Sequence, residues 1–158
     1  MLEKDVEAIV NTYGSMLYRI CVVNLGNESD AEDAVQETFI RYVNKAPAFE
    51  SEEHEKAWLI RVAMNICRDM LRFRFRHPVV DTSFIKDVAT TRENSYVLEA
   101  LMEIPEKYRE VMLLYYVEEY KIDEIAGIIG KTPSAVKMRL AKGRQMLAEK
   151  YREEYLNG

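Results

Sequence analysis

Three sets of side chains in this sequence have types and spacings suited to chemistry. Arg61, Asn65, Arg68, Arg72 and Arg76 recur at helical intervals, a line of hydrogen-bond donors interrupted by one amide. Arginines so placed neutralise phosphates, and an amide can hold the polar edge of an unstacked base. Between Lys131 and Arg144 there are five bases and no acid. From Glu28 to Glu37 the balance is inverted, with five acids and no base. Blocks of opposite sign on different elements suit different partners, although a solvated helix face is the ordinary origin of any single charge run.

Catalytic chemistry has no comparable signature. No paired carboxylates, nucleophile constellation or glycine-rich phosphate loop can be picked out. Cys21 and Cys67 stand alone among apolar residues, and His54 and His77 are near neither. A zinc site takes about four ligands, usually in close pairs, so the cysteines are expected in the core, and no metal, cofactor or enzymatic role is expected. The 158 residues carry 22 Lys+Arg against 27 Asp+Glu, a net charge of −5 that speaks against coating DNA unaided. A hydrophobic fraction of 48% excludes disorder. No apolar run reaches the ~18 residues of a membrane span, and MLEKDVEAIV is no signal peptide. The chain is expected to work in the cytoplasm without membrane insertion.

The elements that must position these side chains read as helices throughout. Ile9, Tyr13, Met16, Leu17, Ile20 and Val23 mark a helix from Asp5 to Leu25, stopped by Gly26 and Asn27. Ser29 with Glu32 forms a capping-box signature for a second helix to about Lys45, with Ala34, Val35, Phe39 and Val43 inward. After Pro47 and an acidic loop, a third helix runs from about Glu55 to Arg74 or beyond. Trp58, Val62, Ile66, Met70 and Phe73 form its apolar stripe beside the donor stripe. Residues 77–95 show no sustained period and read as a linker. A second helical block begins near Tyr96, with Pro105 at a helix start and Tyr108, Val111, Met112, Leu114, Tyr115 and Val117 filling it.

The sharpest local signal is near the end. A short amphipathic helix, Ile122–Ile129, stops at Gly130, a favoured C′ residue. Thr132 is an N-cap and Pro133 a first helical residue. The next helix, to about Tyr151, places Val136, Leu140, Gly143 and Leu147 inward. A short helix, a tight turn and a longer basic helix make a helix-turn-helix, in which the second helix enters the major groove.

These residues carry a family resemblance. The stretch IPEKYREVMLLYYVEEYKIDEIAGIIGKTPSAVKMRLAKGRQML, Ile104–Leu147, resembles domain four of a bacterial RNA polymerase sigma factor. YGSMLYRICVVNLGNESDAEDAVQETFIRYV, Tyr13–Val43, together with AWLIRVAMNICRDMLR, Ala57–Arg72, resembles sigma domain two. Because the linker is too short for another domain, the match is to the two-domain extracytoplasmic-function (ECF) subfamily of the sigma-70 family. The resemblance implies an all-α fold of two small helical domains joined by a flexible linker: a domain-two bundle over 1–76, the linker over 77–95, and a domain-four helix-turn-helix over 96–158.

The resemblance also implies partners and sites. Asp33, Gln36, Glu37, Phe39 and Ile40 would bind the clamp helices of core RNA polymerase. Arg61, Asn65, Arg68, Arg72 and Arg76 would hold the melted −10 strand, with Phe49–Glu55 forming a pocket for a flipped base and Trp58 packed in the core. On duplex −35 DNA, Lys137, Met138, Ala141 and Lys142 would lie nearest the bases, and Ser134, Arg139 and Arg144 on phosphates. Arg139 has a competing reading as an ion-pair partner of the adjoining helix. An anti-sigma factor is implied as inhibitor, in some cases holding the sigma factor at the membrane. Lys121 stands where the family commonly has a capping Ser, Met138 where a small polar residue is frequent, and Ala141 where a larger one often lies. These departures bear on promoter sequence. Sensing is expected from a partner, since neither an N-terminal extension nor an extra C-terminal domain is read in the chain. The alternative reading is a stand-alone helix-turn-helix regulator binding a palindrome without polymerase; a helical adaptor with protein partners only is a third.

Overall fold

A computed structural model describes residues 3–73 and 98–155. The residues read as a linker, 77–95, and Arg76 lie outside them. The chain divides into two compact units, Met1–Phe84 and Ile85–Gly158. All regular structure among the described residues is helical.

The first unit holds three helices, α1 (Glu3–Leu25), α2 (Glu28–Lys45) and α3 (Glu52–Phe73), each packed on the other two. Leu17, Ile20 and Cys21 of α1 meet Ala31, Ala34 and Thr38 of α2 and Leu59, Ile60 and Ala63 of α3 in a dry core, all fully buried. Each large aliphatic side chain so buried contributes about 1.5–3 kcal/mol. The small Ala and Cys side chains at the centre let the three helices approach closely. Cys21 and Cys67 are both buried and unbridged.

Helix boundaries differ from the sequence expectation in two places. Asn27, not Ser29, caps α2: its side chain accepts from the Asp30 amide at 2.9 Å, so the helix starts two residues earlier. Ser51 caps α3, accepting from the His54 amide at 3.0 Å. Glu52, Glu53 and Glu55 are therefore the first turn of a helix, where acids suit the positive end of the dipole, and not a loop. The buried faces also shift. Val43 is 49% exposed and Phe73 83% exposed, while Tyr42 and the run Ala63, Met64, Ile66 and Cys67 turn inward.

One polar cluster ties the three helices together. The Glu55 carboxylate accepts from the hydroxyl of Tyr42 on α2 at 2.7 Å and from that of Tyr13 on α1 at 3.2 Å. Burial, and then the Glu55 charge and hydrogen bond, push both phenols above their ordinary range.

In the second unit, residues 98–102 are helical and bring Leu98 and Leu101 into the core. Helix α4 (Glu106–Met112) runs into a π-helical turn, Leu113–Val117, which closes with the Glu118 amide on the Leu113 carbonyl at 3.1 Å. Glu119 comes next at φ 60, a left-handed conformation rare for a residue with a side chain. Then come α5 (Ile122–Ile129) and α6 (Pro133–Tyr155). Val111–Leu114, Ile125, Ile128, Val136 and Leu140 form the core under the α5–α6 corner. Gly143 of α6 crosses Met112 so closely that a Cβ there would stand 2.9 Å from the Met112 Cγ and nearer still to its sulfur.

Candidate nucleic-acid and protein interfaces

The turn between α5 and α6 is built from the signals the sequence displays. Gly130 adopts the left-handed conformation, φ 69 and ψ 37, and the Lys131 amide returns to the Ala126 carbonyl at 3.0 Å. Thr132 accepts from the Ala135 amide through its hydroxyl at 3.1 Å, starting α6 at Pro133. The start of α5 is held from the other side of its cap: Lys121 offers no acceptor, but its amide donates to the Glu124 carboxylate at 2.9 Å. The missing capping hydroxyl is thus offset in part by Glu124.

Helix α6 buries Val136, Leu140 and Gly143 and exposes the opposite side. At about 100° per residue, Ser134, Met138 and Ala141 share the centre of that exposed side. Lys137 and Arg144 occupy one flank, Lys142 and Arg139 the other. Met138 is 72% exposed, an apolar thioether projecting into solvent at the middle of the helix face. Arg139 is half-buried, while Lys137, Lys142 and Arg144 are exposed. The Arg144 guanidinium donates to the Tyr116 hydroxyl at 3.0 Å, a contact that the sequence pattern does not announce. A central strip of short or apolar side chains between two cationic flanks matches a groove floor between two phosphate walls.

On α3, Arg61, Asn65 and Arg72 are exposed and Arg68 half-buried, all on one side of the helix. Arg68 donates to the Asn65 side-chain oxygen at 3.0 Å, and Arg72 stands 4.0 Å from Asp69. The segment leading into α3 is anchored by aromatics. Phe49 stacks on Tyr42 with centroids 6.1 Å apart and meets Trp58 and His54 edge-on at 5.8 and 5.2 Å. His54 Nδ1 accepts from the Glu50 amide at 3.2 Å. Trp58 is half-buried in this cluster rather than in the dry core. Glu55, the last residue of the Phe49–Glu55 segment, is engaged with the two tyrosines.

On α2, Asp33, Gln36 and Ile40 face outward, Ile40 52% exposed, and Glu37 is half-exposed beside Arg41 at 3.3 Å. Phe39 is not on that face; it is turned into the core. Val43 joins the face instead, three residues beyond Ile40. The outcome is an acidic patch with an exposed aliphatic edge.

These features define a two-unit helical DNA-binding protein, with one unit a helix-turn-helix and the other a three-helix bundle bearing a donor stripe and an acidic face. Residues 9–76 match the model of Sigma-70 region 2, and residues 95–155 that of Sigma-70, region 4. The ECF RNA polymerase sigma factor SigW of Bacillus subtilis is 29% identical, over 92% of this chain and 88% of its own length. The RNA polymerase sigma factor SigV of the same organism is 28% identical, over 89% and 87%. Two solved structures share the fold at a TM-score of 0.72. CnrH, in complex with the cytosolic domain of CnrY, is 24% identical over 94% of this chain and 88% of that one. RpoE, in complex with the anti-sigma factor NepR from Bartonella quintana, is 21% identical over 92% and 96%. The chain belongs to the sigma-70 family, in its ECF group, and is a sigma factor. No helix among the described residues is long and apolar enough to cross a membrane.

Proposed function

We propose that this sigma factor binds core RNA polymerase through the outward face of α2 and reads promoter DNA at two unlike elements. Asp33, Gln36, Glu37 and Ile40 meet the polymerase clamp, with Phe39 packed beneath them and Val43 extending the apolar edge. Arg61, Asn65, Arg68 and Arg72, continued by Arg76, take the phosphates and an unstacked base of the melted −10 strand. The α6 helix enters the major groove of duplex −35 DNA. There Met138 and Ala141 suit thymine methyl groups, Lys137 and Lys142 reach toward guanine edges, and Ser134, Arg139 and Arg144 bond phosphates. The observation that carries this reading is the presence in one chain of two separate donor surfaces, one on a bundle and one on a helix-turn-helix. Each module alone is small and binds weakly; tethering both to polymerase raises their effective concentration on a promoter. The net charge of −5 holds down binding to random DNA in the absence of polymerase.

The chain would span 1–76 as the polymerase and −10 domain, 77–95 as linker and 96–158 as the −35 domain, and would work in the cytoplasm, leaving catalysis to polymerase. An anti-sigma factor is the inhibitor that best fits, as NepR is for its RpoE partner. It would cover the α2 and α6 faces, and a membrane-bound one would hold the sigma factor at the membrane. The test is transcription in vitro with sigma-free core polymerase on a library of promoter-sized DNA. Specific transcripts should appear, vanish with Asp33→Ala/Glu37→Ala, and change sequence preference with Lys137→Ala. A chain that neither binds core nor directs a start site, yet grips a duplex palindrome, is a stand-alone regulator instead.

A further inference from the structure

The assignment of α6 to the −35 duplex leaves Tyr115 and Tyr116 without a role, although both are large exposed aromatics, at 36% and 42%. They sit in the π-helical turn, with rings edge-to-face and centroids 4.9 Å apart. A π turn carries one more residue per hydrogen-bonded ring than an α turn, so it rotates the succeeding residues around the helix axis. Here it aims Tyr116 at α6, where its hydroxyl accepts from Arg144 across 28 residues of chain. An exposed bond of this kind adds little to stability, but it restricts a long side chain that is otherwise free among many rotamers.

We infer that Tyr116 is a positioning residue for the −35 duplex, holding the Arg144 guanidinium on one flank of α6 so that it grips a backbone phosphate. This rests on the −35 reading of α6. Arginine has five N–H donors and no acceptor; one N–H is taken by Tyr116, and the others remain for phosphate oxygens. Tyr116 lies outside the helix-turn-helix itself, so the rotamer of a recognition-helix arginine is set from beyond that helix.

The test uses holoenzyme reconstituted from core polymerase and the full chain, on a promoter duplex that the unsubstituted holoenzyme selects from a library, with affinity measured across a salt series. Arg144→Ala should reduce the slope of log affinity against log salt by about 0.9, one phosphate contact. Tyr116→Phe keeps the ring and should weaken binding about three- to tenfold. In the Arg144→Ala background the same change should do less than about twofold, with the unfolding midpoint unmoved in every variant. Losses that add, a silent Tyr116→Phe, or an unchanged slope for Arg144→Ala each overturn the inference while leaving the sigma factor intact. If the unsubstituted holoenzyme selects no promoter, the −35 reading falls and the inference with it.

Discussion

Replacing Gly143 by Ala tests how the recognition helix is seated. In the interior of a helix this change normally stabilises by about 1 kcal/mol, because Ala has the better propensity. At Gly143 the added Cβ would lie 2.9 Å from the Met112 Cγ and closer to the sulfur, and Met112 is 1% exposed, with no solvent to retreat into. Overpacking a closed core costs about 1–3 kcal/mol. The net expectation is destabilisation by about 0–2 kcal/mol. In a Met112→Ala background the collision is gone, and Gly143→Ala should turn stabilising by about 1 kcal/mol; the coupling is therefore about 1–3 kcal/mol with a reversal of sign. Unfolding in urea followed by far-UV circular dichroism measures this, with all four proteins in the same concentration of TMAO to keep the weakest folded. Trp58 is the one tryptophan and lies in the first unit, so its emission should report a midpoint that does not move. A Gly143→Ala protein more stable than its parent, or an effect equal in both backgrounds, would refute the close packing of α6 on α4.

The geometry gives three further expected outcomes. The Tyr13 and Tyr42 phenols are raised above 10.0 by burial and by Glu55, so they stay protonated in the fold while the unfolded chain ionises. Their contribution is full below about pH 10 and lost as pH rises through the folded values; the Trp58-detected midpoint should decline there, and less steeply in Tyr13→Phe/Tyr42→Phe. Glu119→Gly relieves a left-handed residue worth about 1–2 kcal/mol of strain against about 0.5–1 of added chain entropy. The second unit should therefore gain about 0–1.5 kcal/mol by circular dichroism, and Glu119→Val should lose stability. Val43→Asp changes a side chain 49% exposed on the α2 face. Core-polymerase binding should weaken more than about tenfold, with stability within about 0.5 kcal/mol of the parent.

Much of this molecule is legible in its sequence where local chemistry decides. Gly130, Thr132 and Pro133 are the residues a tight interhelical turn needs, and the structure uses each in the role its type suggests. The start of α2 is harder to read because Asn27 and Ser29 are both good caps, two positions apart, and only the helix register chooses between them. The acids Glu52–Glu55 look like a loop until Ser51 is recognised as a cap. Val43 and Phe73, both expected inward, are exposed. On α3 the buried face runs through Leu59, Ile60, Ala63, Met64 and Cys67, about a quarter turn round the helix from the Trp58–Phe73 stripe that the spacing of large apolar residues picks out. Neither the π turn nor the Tyr116–Arg144 contact leaves a sequence signal, since one depends on backbone hydrogen bonding and the other joins residues far apart in the chain.

In the proposed −10 reading, the α3 donor stripe would meet DNA already occupied. Arg68 is bonded to Asn65, and Arg72 lies beside Asp69. A base that takes the Asn65 oxygen would have to displace Arg68, whose freed N–H would join the others available to phosphate, so base capture and phosphate contact would be coupled at that point of the stripe. Selectivity would then reside in what the free protein already holds, as much as in what it reaches for.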